Sequence, residues 1–150
     1  MSLNEEVELL RNIPLFAKLE PSKLKLLAFT SERITYKADQ VLFRQGDFGD
    51  AAYIIVEGAA AVLVETGEGE IEVATLGRND FVGEIAILCD VPRTATVKAT
   101  TQTITLRITK DLFFRLVAEF PAMSVEIMRE LASRLEHTTQ QLREALAKNA

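Results

Sequence analysis

The chain has 150 residues, of which 48% are hydrophobic, and its formal net charge is −5. That apolar content can bury one substantial core, so we expect a single domain that covers residues 1–150. An acidic chain without clustered Lys and Arg lacks the basic face that nucleic acid or anionic lipid requires, which predicts no direct contact with nucleic acid or membrane. One cysteine cannot form an internal disulfide, and the sequence opens with no signal peptide or membrane-spanning apolar run, so we expect a cytoplasmic protein.

Helical spacing of the apolar residues marks the first part of the chain. Leu24, Leu27 and Ala28 recur at intervals of three and four, which puts them on one face of a helix. Pro21 precedes them at a position where a helix can begin, because proline is tolerated in a first helical turn. We therefore predict a helical N-terminal segment over residues 1–30.

A two-residue period replaces the helical spacing between residues 31 and 109. Apolar residues alternate there with polar or outward positions, as they do in half-buried strands. The alternating sets are Val41/Phe43, Tyr53/Ile55, Val62/Val64, Ile71/Val73 and Ile104/Leu106/Ile108. Turns that contain glycine separate these sets at residues 46–50, 58, 67–69 and 77–80. Short strands joined by such turns predict a barrel or a jelly roll.

Helical spacing returns in residues 110–148, which we predict to form C-terminal helices with a pause at Pro121. The last helix carries a seam with alternate steps of three and four, the spacing of a coiled coil. The seam positions are Met128, Leu131, Leu135, Thr138, Leu142 and Ala145. This stripe either packs on the domain's own strands or forms the seam of a homodimer, and we favour the homodimer.

Two charged residues, Glu84 and Arg93, stand within the otherwise apolar and small stretch of residues 81–100. Both are costly to bury without a partner. Gly83 lets the main chain approach a ligand closely, and Arg93 can make a bidentate contact to a phosphate. Residues 85–88 can form one helical turn whose N-terminus faces an anion. These features together predict an anion-binding site.

Glu84 indicates what else the ligand carries. A carboxylate repels a nearby phosphate, so we expect Glu84 to accept hydrogen bonds from a neutral donor such as a ribose hydroxyl. Phosphate together with hydroxyl indicates a nucleotide, and the small Thr94 and Ala95 do not obstruct it. The alternative is a plain ion pair between Glu84 and Arg93 that adds little net stability.

The run GEIAIL at residues 83–88, followed by PRTATV at residues 92–97, resembles the phosphate-binding cassette of the cyclic nucleotide-binding domain family. The resemblance extends upstream to VLFRQGD at residues 41–47 and covers nearly the whole chain. It implies a mainly β fold, an eight-stranded β jelly roll with N-terminal helices and a long C-terminal helix. It also implies a ligand, cyclic AMP or cyclic GMP, that binds inside the roll.

The same resemblance implies a role for each cassette residue. Glu84 would bind the ribose 2′-hydroxyl and Arg93 the cyclic phosphate, with backbone groups completing the cradle. Ile87 would act as an apolar relay to the C-terminal helices, although plain core packing explains it equally well. The ligand-binding residues expected in the cassette are Gly83, Glu84, Ile85, Ala86, Arg93, Thr94 and Ala95.

The final helix adds two more candidate residues, Thr138 and Thr139. Residues 134–142 resemble the dimer helix of bacterial transcription activators of this family, in which two consecutive hydroxyl residues contact adenine across the dimer. A solvated threonine pair on a surface helix is the alternative. The activators continue into a helix-turn-helix, whereas this sequence ends at Ala150, so transcription control is not implied.

Three threonines bear on whether the ligand carries adenine or guanine, and they do not all indicate the same base. Thr94 follows the cassette arginine, where some family members use a threonine hydroxyl to meet guanine, although others with threonine there accept cyclic AMP. Thr138 and Thr139 match an adenine-contacting pair. Two matches outweigh one ambiguous match, so we favour cyclic AMP over cyclic GMP.

Catalytic and metal-dependent functions have little support in the residues. His137 is the only histidine, whereas a jelly-roll metal enzyme needs several ligands that converge inside the roll. Cys89 is the only cysteine, too few for an iron–sulfur cluster, and we expect it to be a small buried hydrophobe. No Ser-His-Asp or Cys-His arrangement is recognisable. We therefore expect a protein that is not an enzyme and has no metal or cofactor.

The sequence thus predicts a cyclic-nucleotide sensor that regulates an unknown effector by moving its C-terminal helices. One alternative is a dimerisation or interaction module that has lost its ligand. Another is the sensor half of a transcription regulator without its DNA-binding domain. The intact cassette favours the sensor, because a module without a ligand has no reason to keep a polar cradle that is costly to desolvate.

Overall fold

The structure, a computed structural model, describes residues 2–13 and 16–148. Within these ranges, eight strands are flanked by helices at both ends of the chain. The helices are α1 (Leu3–Arg11), α2 (Pro21–Thr30), α3 (Glu84–Cys89), α4 (Lys110–Glu119) and α5 (Pro121–Lys148). The strands are β1 (Glu32–Tyr36), β2 (Val41–Phe43), β3 (Ala51–Glu57), β4 (Ala60–Thr66), β5 (Gly69–Leu76), β6 (Phe81–Val82), β7 (Thr96–Ala99) and β8 (Thr103–Thr109). Residues 1, 14, 15, 149 and 150 of the predicted domain lie outside the described ranges.

The strands form two antiparallel sheets of four, ordered β1-β8-β3-β6 and β2-β7-β4-β5. Strands distant in sequence are neighbours in each sheet, which is the connectivity of a jelly roll. The predicted mainly β fold with helices at both ends is therefore confirmed. Buried apolar side chains from both sheets form the core of the roll: Leu42, Tyr53, Ile55, Ala60, Val82, Val97 and Ala99.

Strand β3 departs from the predicted alternation of buried and exposed residues. Its first six residues are all buried, because the outer face of its sheet is covered as well as the inner one. Ile54 lies opposite Phe81 in register. The ring of Phe81 contacts Phe16 at 6.1 Å and Phe113 at 5.8 Å, measured between ring centroids. The N-terminal segment and the first turn of α4 therefore cover this face.

Strand β5 departs from the alternation in the opposite way. It lies at the edge of its sheet, and Ile71 and Val73 are both 48% exposed. The register between β4 and β5 shifts by one residue between Val62 and Leu63, so a bulge interrupts the two-residue period. The sequence pattern located this strand but not its exposure.

The N-terminal helices confirm the prediction that residues 1–30 contain helical structure. Helix α1 begins after Ser2, whose hydroxyl accepts a hydrogen bond from the Glu5 N–H at 3.2 Å. Such a cap satisfies a backbone donor that the first turn leaves without a partner. Helix α2 starts at Pro21, as predicted, and buries Leu24 and Leu27.

The chain falls into two compact units, residues 1–114 and residues 115–150. The single domain over residues 1–150 stays a prediction. Within the second unit, α5 runs uninterrupted over 28 residues, which agrees with the long final helix expected from the seam spacing. Several of its large apolar side chains are exposed: Met128, Leu135, Leu142 and Leu146.

Candidate functional site

The cassette is a tight connection between two strands that belong to different sheets. Strand β6 ends at Val82, Gly83 turns the chain with a φ of +90°, and α3 follows at once. A side chain at Gly83 would be strained at this φ, and its Cβ would lie 2.7 Å from Nη1 of Arg93. Glycine is therefore required here both for the turn and for the close approach of the arginine.

The Arg93 side chain is held by several contacts inside the cassette, and it is only 5% exposed. Its Nη1 donates to the Gly83 carbonyl oxygen at 2.7 Å, and its Nη2 donates to the Ala51 carbonyl oxygen at 2.6 Å. Its Cζ lies 4.1 Å from the centre of the Phe43 ring. A guanidinium carries five N–H donors, so two carbonyl bonds do not exhaust its capacity to bind an anion.

The main chain of Arg93 is fixed as firmly as its side chain. Its N–H donates to the Asp47 carbonyl oxygen at 2.7 Å, and its own carbonyl oxygen accepts from the Gly46 N–H at 2.8 Å. One residue before Gly46, Gln45 donates its backbone N–H to the Thr96 hydroxyl at 2.9 Å. These bonds hold the loop between β2 and β3 against the arginine.

The electrostatics of the site favour an anionic ligand. Burial lowers the pKa of Arg93, while Tyr53, Asp50 and Glu84 act in the opposite direction. A guanidinium stays charged under all physiological conditions, so burial leaves a positive charge in a water-poor site. Glu84 is also buried, at 4% exposure. An anion that reached Arg93 would therefore meet a cation with little competing hydration.

The other predicted cassette residues fall into three groups by exposure. Ala86 and Ile87 are buried, whereas Gly83 and Ala95 are partly buried. Ile85 and Thr94 are exposed. All of these residues lie within the turn, the short helix and the loop that surround Arg93, so the structure brings the predicted cassette together in one place.

The exposure of Cys89 contradicts the prediction that this residue is buried. The residue is exposed at the end of α3, where Asp90 ends the helix with a φ of +53°. The prediction rested on the general tendency of free cysteines to be buried, but the short helix ends at this residue and leaves it at the surface.

Thr138 and Thr139 lie on α5, in the unit of residues 115–150, and both are exposed. The Thr139 hydroxyl donates to the Leu135 carbonyl oxygen of its own helix at 2.8 Å. This bond uses the hydroxyl proton and leaves the oxygen as an acceptor. The predicted contact of both threonines with a base stays a prediction.

Three residues next to Arg93 were missed as site residues by the sequence reasoning. They are Phe43, which faces the guanidinium, Gly49, whose backbone lies against it, and Ala51, whose carbonyl accepts from it. Phe43 was placed as an alternating strand residue and within the run VLFRQGD, but without a role in the site. The two glycines at positions 46 and 49 were the signal that could have marked this loop as a site of close backbone approach.

The described residues include neither a metal-binding cluster nor a helix that could cross a membrane. Across residues 2–13 and 16–148, no group of three or more His, Cys, Asp or Glu side chains is arranged to hold a metal ion. Among the helices in the described part of the chain, none is both long and apolar enough to cross a membrane.

Several known proteins are similar to this chain. A cAMP-dependent protein kinase regulatory subunit of Emericella nidulans is 31% identical over 125 residues, which cover 83% of this chain and 29% of that protein. The lysophospholipase NTE1 of Coccidioides immitis is 30% identical over 118 residues, which cover 78% of this chain. The chain therefore spans 29% and 8% of the length of these two curated relatives.

A solved structure extends the similarity to the fold. The crystal structure of the Thermus thermophilus catabolite activator protein superposes with a TM-score of 0.78 at 28% identity. The match covers 86% of this chain and 61% of the activator.

A protein-family sequence model, that of the cyclic nucleotide-binding domain, matches residues 33–120 of this chain. These residues include the strands from β2 to β8 and the whole cassette. The chain therefore belongs to the cyclic nucleotide-binding domain family, a regulatory family rather than a catalytic one.

Proposed function

We propose that this chain binds a cyclic nucleotide at the cassette, prefers cyclic AMP to cyclic GMP, and signals by moving its C-terminal helices. One observation carries the proposal: the guanidinium of Arg93 is buried and held by two carbonyl oxygens. Asp50 and Glu84 act on this cation from nearby, and a buried charge is stabilised further by an anion that matches it directly. A cyclic phosphate supplies that match, because a guanidinium can bind two phosphate oxygens through parallel hydrogen bonds.

Glu84 supplies the second contact in this proposal. Its carboxylate is buried at the first position of α3, next to the glycine turn. It accepts hydrogen bonds and cannot donate them when it is ionised. A ribose 2′-hydroxyl is a suitable donor, and it lies on the same sugar as the cyclic phosphate. Backbone groups of Gly83, Ala86 and Ala95 complete the cradle, while Ile85 and Thr94 line its exposed side.

The base preference rests on Thr138 and Thr139, which would contact adenine from α5. Their exposure on that helix leaves them accessible to a ligand. The regulatory subunit relative is named for its dependence on cAMP, which supports the same ligand for this chain. Thr94, exposed beside Arg93, would give cyclic GMP a weaker alternative contact.

Signalling to the C-terminal helices has a physical route at the start of α4. The Lys110 N–H donates to the Asp50 carbonyl oxygen at 2.8 Å, one residue before the Ala51 carbonyl that binds Arg93. The Lys110 ammonium pairs with Asp90, the residue that ends α3, at 3.2 Å. The first residue of α4 is thus joined to both sides of the cassette. Movement of the cassette on ligand binding would therefore reach α4, with Ile87 as the apolar relay.

Assembly as a homodimer completes the proposal. Met128, Leu135 and Leu142 are 58–69% exposed along the seam of α5. Exposed apolar residues at steps of three and four favour pairing with a second helix. The alternative in which the chain is an interaction module without a ligand shares this seam but not the binding of a nucleotide.

Isothermal titration of the purified chain with cyclic AMP and with cyclic GMP tests the proposal. Linear 5′-AMP serves as the control, because it carries the same base without the cyclic phosphate. We expect heat with both cyclic nucleotides, tighter binding of cyclic AMP, and weak binding of 5′-AMP. Mass spectrometry of the protein as purified checks for nucleotide that is already bound. Absence of both heat and co-purified nucleotide would overturn the proposal and favour the interaction module.

A further inference from the structure

The side chain of Arg93 is enclosed by residues that lie far from it in sequence. The Phe43 ring covers one face of the guanidinium, with 4.1 Å between the ring centre and Cζ. Phe43 is itself held by Tyr53, whose ring centre lies 5.8 Å away. The arginine therefore has an aromatic wall that the core of the roll keeps in place.

Gly49 closes a second side of the guanidinium. A Cβ at this position would lie 2.7 Å from Cζ and 2.8 Å from Nε of Arg93, and 2.8 Å from the Cβ of Ala86. Real Cβ atoms do not approach other heavy atoms this closely, so the contact depends on the missing side chain. Two carbonyl bonds, an aromatic face and a bare backbone together restrict the guanidinium to one orientation.

We infer that Phe43 and Gly49 are positioning residues for the cyclic phosphate, because they hold the guanidinium of Arg93 in its binding orientation before the ligand arrives. This inference rests on the proposed function of the cassette. An arginine that is already ordered loses less side-chain entropy on binding. Its planar donors also meet the phosphate oxygens only when the plane is correctly turned. Neither residue needs to touch the ligand to affect its affinity.

The chemistry of the Phe43 contact depends on the aromatic ring and not only on its volume. An aromatic face is electron-rich, so it attracts a cation that stacks on it, and the attraction is larger where water is excluded. Leucine fills similar space but has no such face. Tyrosine keeps the ring.

The first test compares Phe43→Leu with Phe43→Tyr by isothermal titration with cyclic AMP. We expect the leucine variant to bind more weakly, by up to about thirtyfold. The ring stacks on Arg93 both before and after binding, so its loss weakens binding only by lowering the fraction of the protein whose guanidinium is already oriented. The tyrosine variant should bind within about twofold of the wild type, since the ring face is retained. Equal affinity of wild type and leucine variant would overturn the role of the ring.

The second test uses Gly49→Ala and its matched control, Gly67→Ala. A methyl group at position 49 forces the guanidinium to move, whereas a Cβ at position 67 meets nothing within 4 Å. We expect Gly49→Ala to weaken cyclic AMP binding at least about tenfold. Because its Cβ also meets the Cβ of Ala86, the thermal unfolding midpoint should fall below that of the control. Binding by Gly49→Ala at the affinity of Gly67→Ala would contradict the inference.

A third measurement separates positioning from a general structural role. The two phosphorothioate diastereomers of cyclic AMP carry sulfur on one or the other non-ester oxygen position, so a fixed guanidinium binds them unequally. We expect the wild-type affinity ratio to shift toward one in Phe43→Leu and in Gly49→Ala, and to stay unchanged in Gly67→Ala. An unchanged ratio in the first two variants, or a wild-type ratio of one, would overturn the inference.

The outcomes also distinguish the inference from the proposed function. If the wild type binds no cyclic nucleotide, the proposed function fails, and the inference fails with it. If the wild type binds cyclic AMP and the Phe43 and Gly49 variants bind equally well, only the inference fails.

Discussion

The cassette around Arg93 and the helix α5 differ in where their side chains find partners. Arg93 is bonded to the main chain of two other segments of its own unit and stacks on a ring from a third. On α5, by contrast, Leu135 is 69% exposed, and the Thr139 hydroxyl bonds only to its own helix among the contacts of the described residues. The contacts of the cassette therefore form within the folded chain, whereas the exposed side chains of α5 are accessible to a ligand or to a second chain.

This difference indicates how binding and response are divided between the two regions. A site whose cation is already oriented can recognise a phosphate without large rearrangement, which keeps the entropic cost of binding low. A helix with exposed apolar and hydroxyl side chains gains its contacts only from a ligand or a second chain. We propose that the cassette supplies most of the affinity, while α5 supplies selectivity and assembly.

The largest expected effect is that of Arg93→Ala on the cassette. Removing the phosphate contact inside a desolvated site should weaken cyclic AMP binding by about 2–5 kcal/mol. The loss of two buried carbonyl partners should also lower the free energy of unfolding by about 1–3 kcal/mol. Isothermal titration and thermal unfolding measure the two effects.

Arg44→Ala is the matched control, because Arg44 lies on the same loop system but is exposed. Arg44→Ala should change neither the affinity for cyclic AMP nor the free energy of unfolding appreciably. Unchanged affinity in Arg93→Ala would mean that the cassette arginine is not the phosphate ligand, and the contrast between the two regions would lose its basis.

The next largest effect concerns assembly through α5. Leu135→Glu puts a charge at the centre of the proposed seam, where a buried leucine contributes about 1.5–3 kcal/mol in each protomer. We expect the wild type to be a dimer and this variant a monomer in light scattering. Ser133→Glu adds the same charge off the seam and should leave the dimer intact. A wild-type protein that stays monomeric at high concentration would contradict the proposal that the seam of α5 forms a dimer.

A smaller effect is expected on base selectivity. The double change Thr138→Ala with Thr139→Ala should lower the affinity for cyclic AMP more than for cyclic GMP, by about 1 kcal/mol for each lost hydrogen bond. Thr94→Ala should lower the affinity for cyclic GMP more than the affinity for cyclic AMP. Competition titrations with both nucleotides measure the ratios. A wild-type preference for cyclic GMP of about tenfold or more would show that α5 does not set the selectivity.

A separate effect is a pH dependence of stability that arises at Tyr36, which is partly buried against the core of the roll. Burial, together with the nearby Tyr53, raises the pKa of Tyr36 from 10.0 to about 12. Between these values the unfolded chain loses the phenol proton and the folded chain keeps it, so the free energy of unfolding falls as pH rises from 10 to 12.

Denaturant unfolding at a series of alkaline pH values measures this loss. Tyr36→Phe has no phenol to titrate, so its stability should fall less steeply over the same range. Parallel pH dependences for the wild type and Tyr36→Phe would mean that Tyr36 keeps the same pKa in the folded and unfolded chains.

Much of the cassette could be predicted from the sequence because its residues are close together in the chain. Glu84 and Arg93 are nine positions apart, and both are costly to bury, so their presence in an apolar stretch was informative. The strand pattern was informative for a similar reason, since a two-residue period is a local property of the backbone.

The contacts that surround Arg93 could not be predicted in the same way. Phe43 and Gly49 are 50 and 44 positions away, and no local period indicates which distant strand will face an arginine. The burial of β3 on both faces likewise depends on Phe16 and Phe113, which come from opposite ends of the first unit. Alternation identifies a strand and not the layers that cover it.

A crystal structure of the chain grown with cyclic AMP tests the central claim most directly. We predict that the non-ester phosphate oxygens lie within hydrogen-bond distance of the Arg93 guanidinium, and that the ribose 2′-hydroxyl donates to the Glu84 carboxylate. The guanidinium should keep its stacking on Phe43, as expected for a site that is oriented before binding. A nucleotide bound away from the cassette, or a phosphate that makes no contact with Arg93, would contradict the account.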